Sequence, residues 1–274
     1  MDWRGGPRRR SQEPDHSASD NRLAEEMLSG RHNAALAYGR RVFQHLPADP
    51  RCKLCAAPFK GPFAPVLRLV GKGPWPRNPR YCGWCLKELI RHGGGAEIEC
   101  SLLFADVRES TTLAETLRPA DFRALIQRFF HAATEVLIQH DAFIDKFVGD
   151  EVIGLFIPFL AGERHAERAV AAGRDLLAKT GQNSASPLLP IGAGVNTGVA
   201  YVGTVGEGDL VDFTAMGDPV NVTARLASAA GAGELLVTAR ALAAAGLAGD
   251  ELEHRSLALK GKSDRTDVFV LHAQ

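Results

Sequence analysis

Residues 143–157 contain two apolar segments with a tight turn at Gly149 and Asp150 between them. A two-residue connection makes consecutive strands lie antiparallel side by side, and glycine at its first position suits such a turn. We therefore expect strands at residues 143–148 and 152–157. This hairpin fixes one antiparallel pair, and the neighbouring elements must be arranged around it.

Regular strands and helices flank the hairpin. We expect a helix to begin at Pro119, because the missing N–H of proline costs little in the first turn of a helix. Apolar residues follow it at helical spacing. Asp218 and Pro219 are predicted as the N-cap and first residue of a later helix. The remaining predicted elements are a helix at 162–179 and strands at 98–105, 191–195, 199–205, 235–238, 251–259 and 267–271. This order predicts an α+β sandwich in which helices cover one face of a mainly antiparallel sheet.

The N-terminal third of the chain has a different composition. Residues 1–20 are rich in Arg, Ser, Asp and Pro and offer nothing to bury, so we expect disorder there. We expect a short helical segment over residues 21–49 and a separate module over residues 50–92, which many Pro and Gly interrupt. Residues 93–95 are three glycines and are predicted to form a flexible joint. The larger domain is then expected over residues 96–272.

Charge and hydropathy limit the expected partners. The formal net charge is zero, and the basic run at residues 8–10 has no interleaved aromatic residues, so we expect no nucleic-acid partner. No segment approaches the roughly 18–20 apolar residues that a membrane crossing requires. The first residues also lack the apolar region of a secretory signal. We therefore expect a cytoplasmic protein without a membrane span.

Four of the five cysteines form two CxxC pairs, Cys52 with Cys55 and Cys82 with Cys85. Four thiolates in two such knuckles match a closed tetrahedral Zn²⁺ site. An iron–sulfur or redox role and unligated cysteines remain the alternatives. Cys100 lies within a predicted strand and is expected in the core. We expect an unidentified regulator to act through this cysteine module.

Two acidic residues stand at the ends of predicted strands. Asp106 closes the apolar strand at 98–105, and Asp150 lies in the hairpin turn. If those strands are neighbours, both carboxylates lie at one sheet edge, where they could hold two Mg²⁺ ions together with substrate phosphates. The alternative is that Asp106 only ends a strand and Asp150 only forms a turn.

A second polar pair lies on the predicted helix that starts at Asp218. Asn221 and Arg225 are four residues apart and share one helical face. Near a helix N-terminus, such a face suits phosphate groups. Arg225 could neutralise charge that develops on an α-phosphate, and Asn221 could position a ribose. An ordinary solvated helix surface is the alternative.

Three strings carry a resemblance to a known family. They are FADVREST at residues 104–111, DKFVGDE at 145–151 and DFTAMGDPVNVTARL at 212–226. In this order and at these distances, they resemble the class III adenylyl/guanylyl cyclase catalytic domain over about residues 98–270. The resemblance implies the ferredoxin-like sandwich of class III cyclases and an enzyme that forms a cyclic nucleotide.

The resemblance assigns roles to single residues. Asp106 and Asp150 match the metal-binding aspartates, and Asn221 and Arg225 match the transition-state residues. Lys260, in the string LKGK, resembles the lysine that contacts the triphosphate. In this family one subunit supplies the metal ligands, and the other supplies the purine and transition-state residues. The resemblance therefore implies a head-to-tail homodimer with two sites, each holding two Mg²⁺ or Mn²⁺ ions.

Lys146 and Thr214 match the family's purine-reading pair. A lysine ammonium can donate to N1 of adenine, and a threonine hydroxyl can accept from the 6-amino group. Guanine has a donor at N1, which a lysine cannot satisfy. The resemblance therefore implies an adenylate cyclase, a phosphorus–oxygen lyase that converts ATP to 3′,5′-cyclic AMP and pyrophosphate. With threonine at position 214, the chain resembles the threonine-bearing subgroup of the family, and several members of that subgroup respond to bicarbonate.

Three other functions compete with this one. The chain could be a guanylyl cyclase or a catalytically weak, cyclase-like dimeric nucleotide sensor. The string VGDEV at residues 148–152 also resembles the turn of diguanylate cyclases. The spacing of Lys146 and the helix bearing Asn221 and Arg225 argue against that last alternative, because diguanylate cyclases lack both.

Overall fold

A computed structural model describes residues 25–30, 34–43, 45–46, 50–76, 78–91, 95–181, 189–207, 210–259 and 264–273. Lys260 and the segment 1–20, for which disorder was predicted, lie outside the described residues.

The described part of the chain forms short helices near its start and regular elements after residue 95. The helices are α1 (Ala34–Phe43), α2 (Ala64–Leu69), α3 (Gly83–Arg91), α4 (Ser110–Thr116), α5 (Pro119–Gln139), α6 (Pro158–Ala161), α7 (His165–Thr180), α8 (Asp218–Ala229) and α9 (Ala239–Ala244). The strands are β1 (Pro74–Trp75), β2 (Asn78–Cys82), β3 (Gly95–Val107), β4 (Phe143–Val148), β5 (Glu151–Phe156), β6 (Ile191–Glu207), β7 (Leu210–Met216), β8 (Leu235–Thr238), β9 (Glu253–Leu257) and β10 (Thr266–Leu271). Residues 25–28 add a further helical segment.

Eight strands form one sheet, and β1 with β2 forms a small second sheet. The order in the large sheet is β4-β5-β3-β6-β8-β10-β9, and β7 pairs with β6 beside this path. The paired strands are antiparallel except β6 and β8, which run parallel. The predicted α+β architecture with a mainly antiparallel sheet is therefore confirmed.

Alternate residues of β3 face two different layers. Leu103 and Ala105 pack in the cluster that α5 and α7 complete. Leu102 and Phe104 pack on the opposite face, in a cluster with the cysteine module and with Ala227 of α8. The prediction of helices on one face holds for α5 and α7, whereas α8 lies on the other face.

Glycines in β6 explain the close approach of α8. A Cβ on Gly194 would lie 2.6 Å from Cβ of Leu226, and one on Gly198 would lie 2.8 Å from Pro219. The sequence predicts two strands at 191–195 and 199–205, but β6 is continuous across them. Gly198 makes room for the helix and does not mark a turn.

Three further details differ from the sequence predictions. Strand β7 is not predicted, because its alternation of polar and apolar residues is short. Gly217, with a φ of 127°, occupies the N-cap position of α8, and Asp218 lies in its first turn. Gly95 of the predicted joint begins β3 and pairs with Gly203, so it is part of the sheet.

Within the described ranges, no helix combines the length and the apolarity that crossing a bilayer requires.

Candidate active site

The structure brings Asp106 and Asp150 to the same edge of the sheet. Strand β3 pairs directly with β5, and Asp106 stands opposite Glu151 in their register. In the turn between β4 and β5, Gly149 has a positive φ of 62° and Asp150 does not. A positive φ at the first turn residue alone is typical of a type II′ turn. The predicted neighbourhood of the two strand ends is therefore confirmed.

Burial and neighbouring carboxylates raise the pKa of two acids at this edge, Asp106 and Glu151. The pKa of Asp106 is raised to about 6, mainly by burial and to a smaller extent by the nearby Asp150. Burial, together with the charges of Asp106 and Asp150, raises the pKa of Glu151 to about 7. Oδ2 of Asp150 is buried and has no hydrogen-bond partner among the described residues. Ionised acids packed this closely, with an unsatisfied buried oxygen, fit a site for divalent cations.

Arg108 is a site residue that the sequence reasoning missed. Its guanidinium donates to Oδ2 of Asp106 at 2.8 Å. It also donates to the carbonyl oxygens of Ser228 at 3.2 Å and Ala230 at 3.1 Å, at the C-terminal end of α8. The signal available in the sequence was a basic residue two positions after a strand-end aspartate. Arg108 thus joins the acidic edge to the helix that bears Asn221 and Arg225.

Lys146 and Thr214 lie on either side of Asp145. Nζ of Lys146 is 3.8 Å from Oδ1 of Asp145 and 3.6 Å from Oδ2 of Asp212. The hydroxyl of Thr214 donates to Oδ2 of Asp145 at 2.8 Å. Asp145 is the extra residue of a β-bulge in β4, since Ile144 pairs with Gly154 and Lys146 with Ile153. Bulges of this kind redirect side chains beside active sites.

An open pocket of about 400 Å³ adjoins this group. Its lining residues are Pro76, Thr134, Ile144, Asp145, Lys146, Phe147 and Asp212. Lys146 therefore stands at a concave surface, and the pocket includes one residue, Pro76, from the cysteine module.

Asn221 and Arg225 lie on the first two turns of α8, as their spacing predicts. Asn221 is exposed and Arg225 is half-buried. Among the hydrogen bonds and ion pairs of the described residues, none joins either side chain to Asp106 or Asp150. Within one chain, the two predicted groups of catalytic residues are therefore not directly bonded to each other in the described part of the structure.

The four cysteines of the two CxxC motifs lie close together in the N-terminal module. All four are buried, and their sulfur atoms lie within 4.8 Å of one another. Sγ of Cys55 is 3.7 Å from Sγ of Cys82. Tetrahedral Zn²⁺ with bonds of about 2.3 Å places sulfur atoms about 3.8 Å apart. The four cysteines therefore fit a metal that binds thiolates.

Comparison with known families identifies the large domain. The model of the family described as Adenylate and Guanylate cyclase catalytic domain matches residues 96–273. A sheet with an acidic edge and a pocket beside Lys146 is consistent with such a domain. The chain belongs to this family, the class III nucleotidyl cyclases, and the match favours it over the diguanylate cyclase alternative.

Relatives and solved structures agree with this family. The chain is similar to Adenylate cyclase 1 of Rhizobium meliloti, at 36% identity over 155 residues, which cover 51% of this chain and 23% of that protein. It is also similar to an adenylate cyclase of Anabaena cylindrica, at 26% identity over 144 residues, covering 51% and 29%. The chain thus matches about a quarter of the length of these curated relatives.

Two solved structures share the fold of the large domain. The guanylyl cyclase Cya2 is 28% identical, with a TM-score of 0.57, over 66% of this chain and 95% of that chain. The adenylyl cyclase CyaB from P. aeruginosa is also 28% identical, with a TM-score of 0.56, over 66% and 97%. These neighbours include both substrate types, so the fold alone leaves ATP and GTP open.

Proposed function

We propose that the protein is an adenylate cyclase, which converts ATP to 3′,5′-cyclic AMP and pyrophosphate at a site shared by two copies of the chain. The observation that supports ATP as the substrate is the hydrogen bond that Thr214 donates to Asp145. An ionised carboxylate has no proton to give, so the hydroxyl must donate to it. The free lone pair of that hydroxyl then accepts a hydrogen bond.

An accepting hydroxyl discriminates between the two purines. Adenine presents a 6-amino donor, which Thr214 satisfies, whereas guanine presents a carbonyl oxygen at that position. Lys146 donates to N1 of adenine, where guanine carries a proton of its own. The carboxylates of Asp145 and Asp212 lie within 4 Å of the ammonium of Lys146 and hold it near the pocket. Both residues therefore favour ATP.

The cyclisation step joins the 3′-oxygen of the ribose to the α-phosphorus and breaks the bond to pyrophosphate. Two Mg²⁺ or Mn²⁺ ions, held by Asp106 and Asp150, would activate the 3′-oxygen and neutralise the triphosphate. Asn221 orients the ribose, and Arg225 stabilises the charge that develops on the α-phosphate. Lys260 is proposed to contact the triphosphate. The proton of the 3′-hydroxyl passes to solvent.

A head-to-tail homodimer is proposed to complete each site. Asn221 and Arg225 make no contact with the acidic edge among the described bonds of one chain, so a second copy can supply them. Large apolar side chains are also exposed on the hairpin and near α8. They are Phe147, Val148, Val199 and Met216. A second copy would cover this surface and remove it from water.

The N-terminal part is proposed to add segments of its own in front of the catalytic domain. We retain the division into an N-terminal segment at 1–20, a helical segment at 21–49, a cysteine module at 50–92 and the catalytic domain at 96–272. The module is proposed to hold one structural Zn²⁺ through Cys52, Cys55, Cys82 and Cys85. The short distance between two of the sulfur atoms supports this proposal.

Turnover of ATP and GTP, measured side by side with Mn²⁺ and with Mg²⁺, tests the proposal. We expect cyclic AMP formation to exceed cyclic GTP formation by at least tenfold. Asp145→Asn should reduce that ratio about fivefold, since an amide can donate as well as accept and no longer fixes the hydroxyl of Thr214. Comparable or faster turnover of GTP would make the protein a guanylyl cyclase. Nucleotide binding without turnover would make it a sensor.

A further inference from the structure

One buried carboxylate connects the cysteine module to the catalytic domain. The side chain of Asp141 is 2% exposed and accepts hydrogen bonds from three cationic side chains. Lys53 donates to its Oδ1 at 2.6 Å, Arg80 donates to the same atom at 3.2 Å, and Arg168 of α7 donates to Oδ2. Lys53 lies inside the first CxxC pair, and Arg80 lies two residues before the second pair. Both cysteine knuckles thus contact one residue of the catalytic domain.

The module also binds the backbone around Asp141. Arg80 donates to the carbonyl oxygens of Ile138 at 3.0 Å and Gln139 at 2.6 Å. The buried side chain of Asn78 donates to the carbonyl oxygen of Ala142 at 2.9 Å. The bonds from Arg80 reach carbonyl groups at the C-terminal end of α5, where a helix has no internal donors. The bond from Asn78 reaches the residue just before β4. The module therefore fixes the whole turn between α5 and β4.

The backbone of this turn shows why an aspartate matters there. The N–H of Ala142 bonds to the carbonyl of Leu137, and the N–H of Asp141 bonds to that of Ile138, which is a Schellman motif. Asp141 occupies its left-handed position, with a φ of 62°. Glycine is the usual residue at this position, and a side chain there has a steric cost. The ion pairs of Asp141 offset that cost.

The turn leads directly into the proposed purine site. Strand β4 begins two residues after Asp141 and reaches Lys146 five residues after it. The ring of Phe143, the first residue of β4, packs edge-on against Phe213 with centroids 5.2 Å apart. Pro76 of the module lines the same pocket as Lys146. A displacement of the turn would therefore move the residues that contact the purine.

We propose that the cysteine module is a clamp that sets nucleotide affinity, and that Asp141 is its positioning residue. Metal bound to the four thiolates holds Lys53 and Arg80 in place, and these cations hold the turn that orients Asp145 and Lys146. Loss of the metal loosens the turn and weakens nucleotide binding. This inference rests on the proposed purine contacts of Lys146, but the clamp itself can be tested separately.

The first test replaces Lys53 in the full chain and leaves the cysteines unchanged. Lys53→Met removes a partly exposed cation and should raise both KM for ATP and Kd for a non-reacting ATP analogue about fivefold. We expect kcat and zinc content to remain within about twofold of the wild type. Lys53→Arg retains the cation and should restore the wild-type KM. Amide hydrogen exchange at residues 141–148 should become faster in Lys53→Met only.

A second set of variants links this effect to the metal. Cys82→Ser should lose zinc and raise KM at least as much as Lys53→Met does. Adding Lys53→Met to it should have no further effect, because both act through one clamp. Glu234→Gln is the matched control. Its carboxylate is also paired, with Arg255 of β9, and β9 is the edge strand farthest from β4 in the sheet. We expect Glu234→Gln to reduce the melting temperature without changing KM.

Several results would overturn the inference. An unchanged KM and unchanged exchange at residues 141–148 in Lys53→Met would show that the ion pairs only stabilise the fold. Independent, additive effects of Cys82→Ser and Lys53→Met on KM would show that the metal does not act on nucleotide binding through Lys53. A wild-type protein that neither binds nor converts ATP would refute the proposed function instead, and the exchange measurement would still test the clamp.

Discussion

Asp150→Asn should make the protein more stable and inactive at the same time. In the absence of Mg²⁺ and Mn²⁺, Asp150 repels its acidic neighbours at the end of β3 and the start of β5. An asparagine of the same size removes this charge and still suits a hairpin turn. We therefore expect a higher free energy of unfolding at pH 8, together with the loss of turnover.

The magnitude follows from the pKa of Asp106. An increase from 3.8 to about 6 corresponds to about 3 kcal/mol against the ionised form at high pH. Burial is the larger cause and Asp150 the second, and the side chain of Asp106 is still 27% exposed. Solvent screening reduces the charge contribution further. We assign about 0.5–1 kcal/mol to Asp150, which corresponds to an increase of about 1–4 °C in the melting temperature.

The size of the stabilisation depends on the protonation of Asp106. Because the folded-state pKa of Asp106 is raised, its ionisation destabilises the fold fully above about pH 7. This penalty fades as the pH falls towards the unfolded-state pKa, about 3.9. Asp150→Asn should therefore increase the melting temperature at pH 8 and change it much less at pH 5.

Thermal unfolding of the full chain measures this difference. The protein is dialysed free of Mg²⁺ and Mn²⁺ without a chelator, so that the cysteine site retains its metal. Asp250→Asn, at an exposed position, is the control and should leave the melting temperature unchanged. Adding Mg²⁺ should stabilise the wild type more than Asp150→Asn. A melting temperature at pH 8 that is lower in Asp150→Asn than in the wild type would refute the repulsion between the carboxylates.

Two further predictions concern the shared site and the cysteines. Asp106→Ala and Arg225→Ala should each be inactive alone, whereas mixing them and allowing subunit exchange should restore up to about a quarter of wild-type activity; confirmed heterodimers without recovery would exclude a shared site. Protein purified without added zinc should contain about one zinc per chain by elemental analysis, and Cys82→Ser should contain much less; iron with visible absorbance would indicate a cluster instead.

Features with a local cause were predictable from the sequence. The β4–β5 hairpin follows from Gly149, and the start of α5 follows from Pro119, because both depend on the backbone preferences of one residue. The neighbourhood of Asp106 and Asp150 follows from strand ends that pair in one sheet. These predictions needed no knowledge of distant contacts.

The bulge at Asp145 and the placement of α8 depend on the tertiary structure. Nothing in the alternation of β4 reveals an extra residue, and its partner Thr214 lies 69 positions away. Gly194 and Gly198 resemble turn residues in the sequence, but they make space for a helix. Lys53 and Asp141 are 88 positions apart, and each alone resembles an ordinary surface charge.

The core that contains Tyr81 and Phe104 has a practical consequence for the design of truncated forms of this protein. Phe59 and Tyr81 of the module are buried in the same cluster as Leu102 and Phe104 of β3. A fragment that begins at the family boundary, residue 96, would expose this apolar surface and leave Asp141 buried without two of its three cations. Its inactivity or aggregation would say little about the catalytic residues. In this protein, the catalytic domain is not a portable unit, and fusions or truncations should retain the chain from about residue 50.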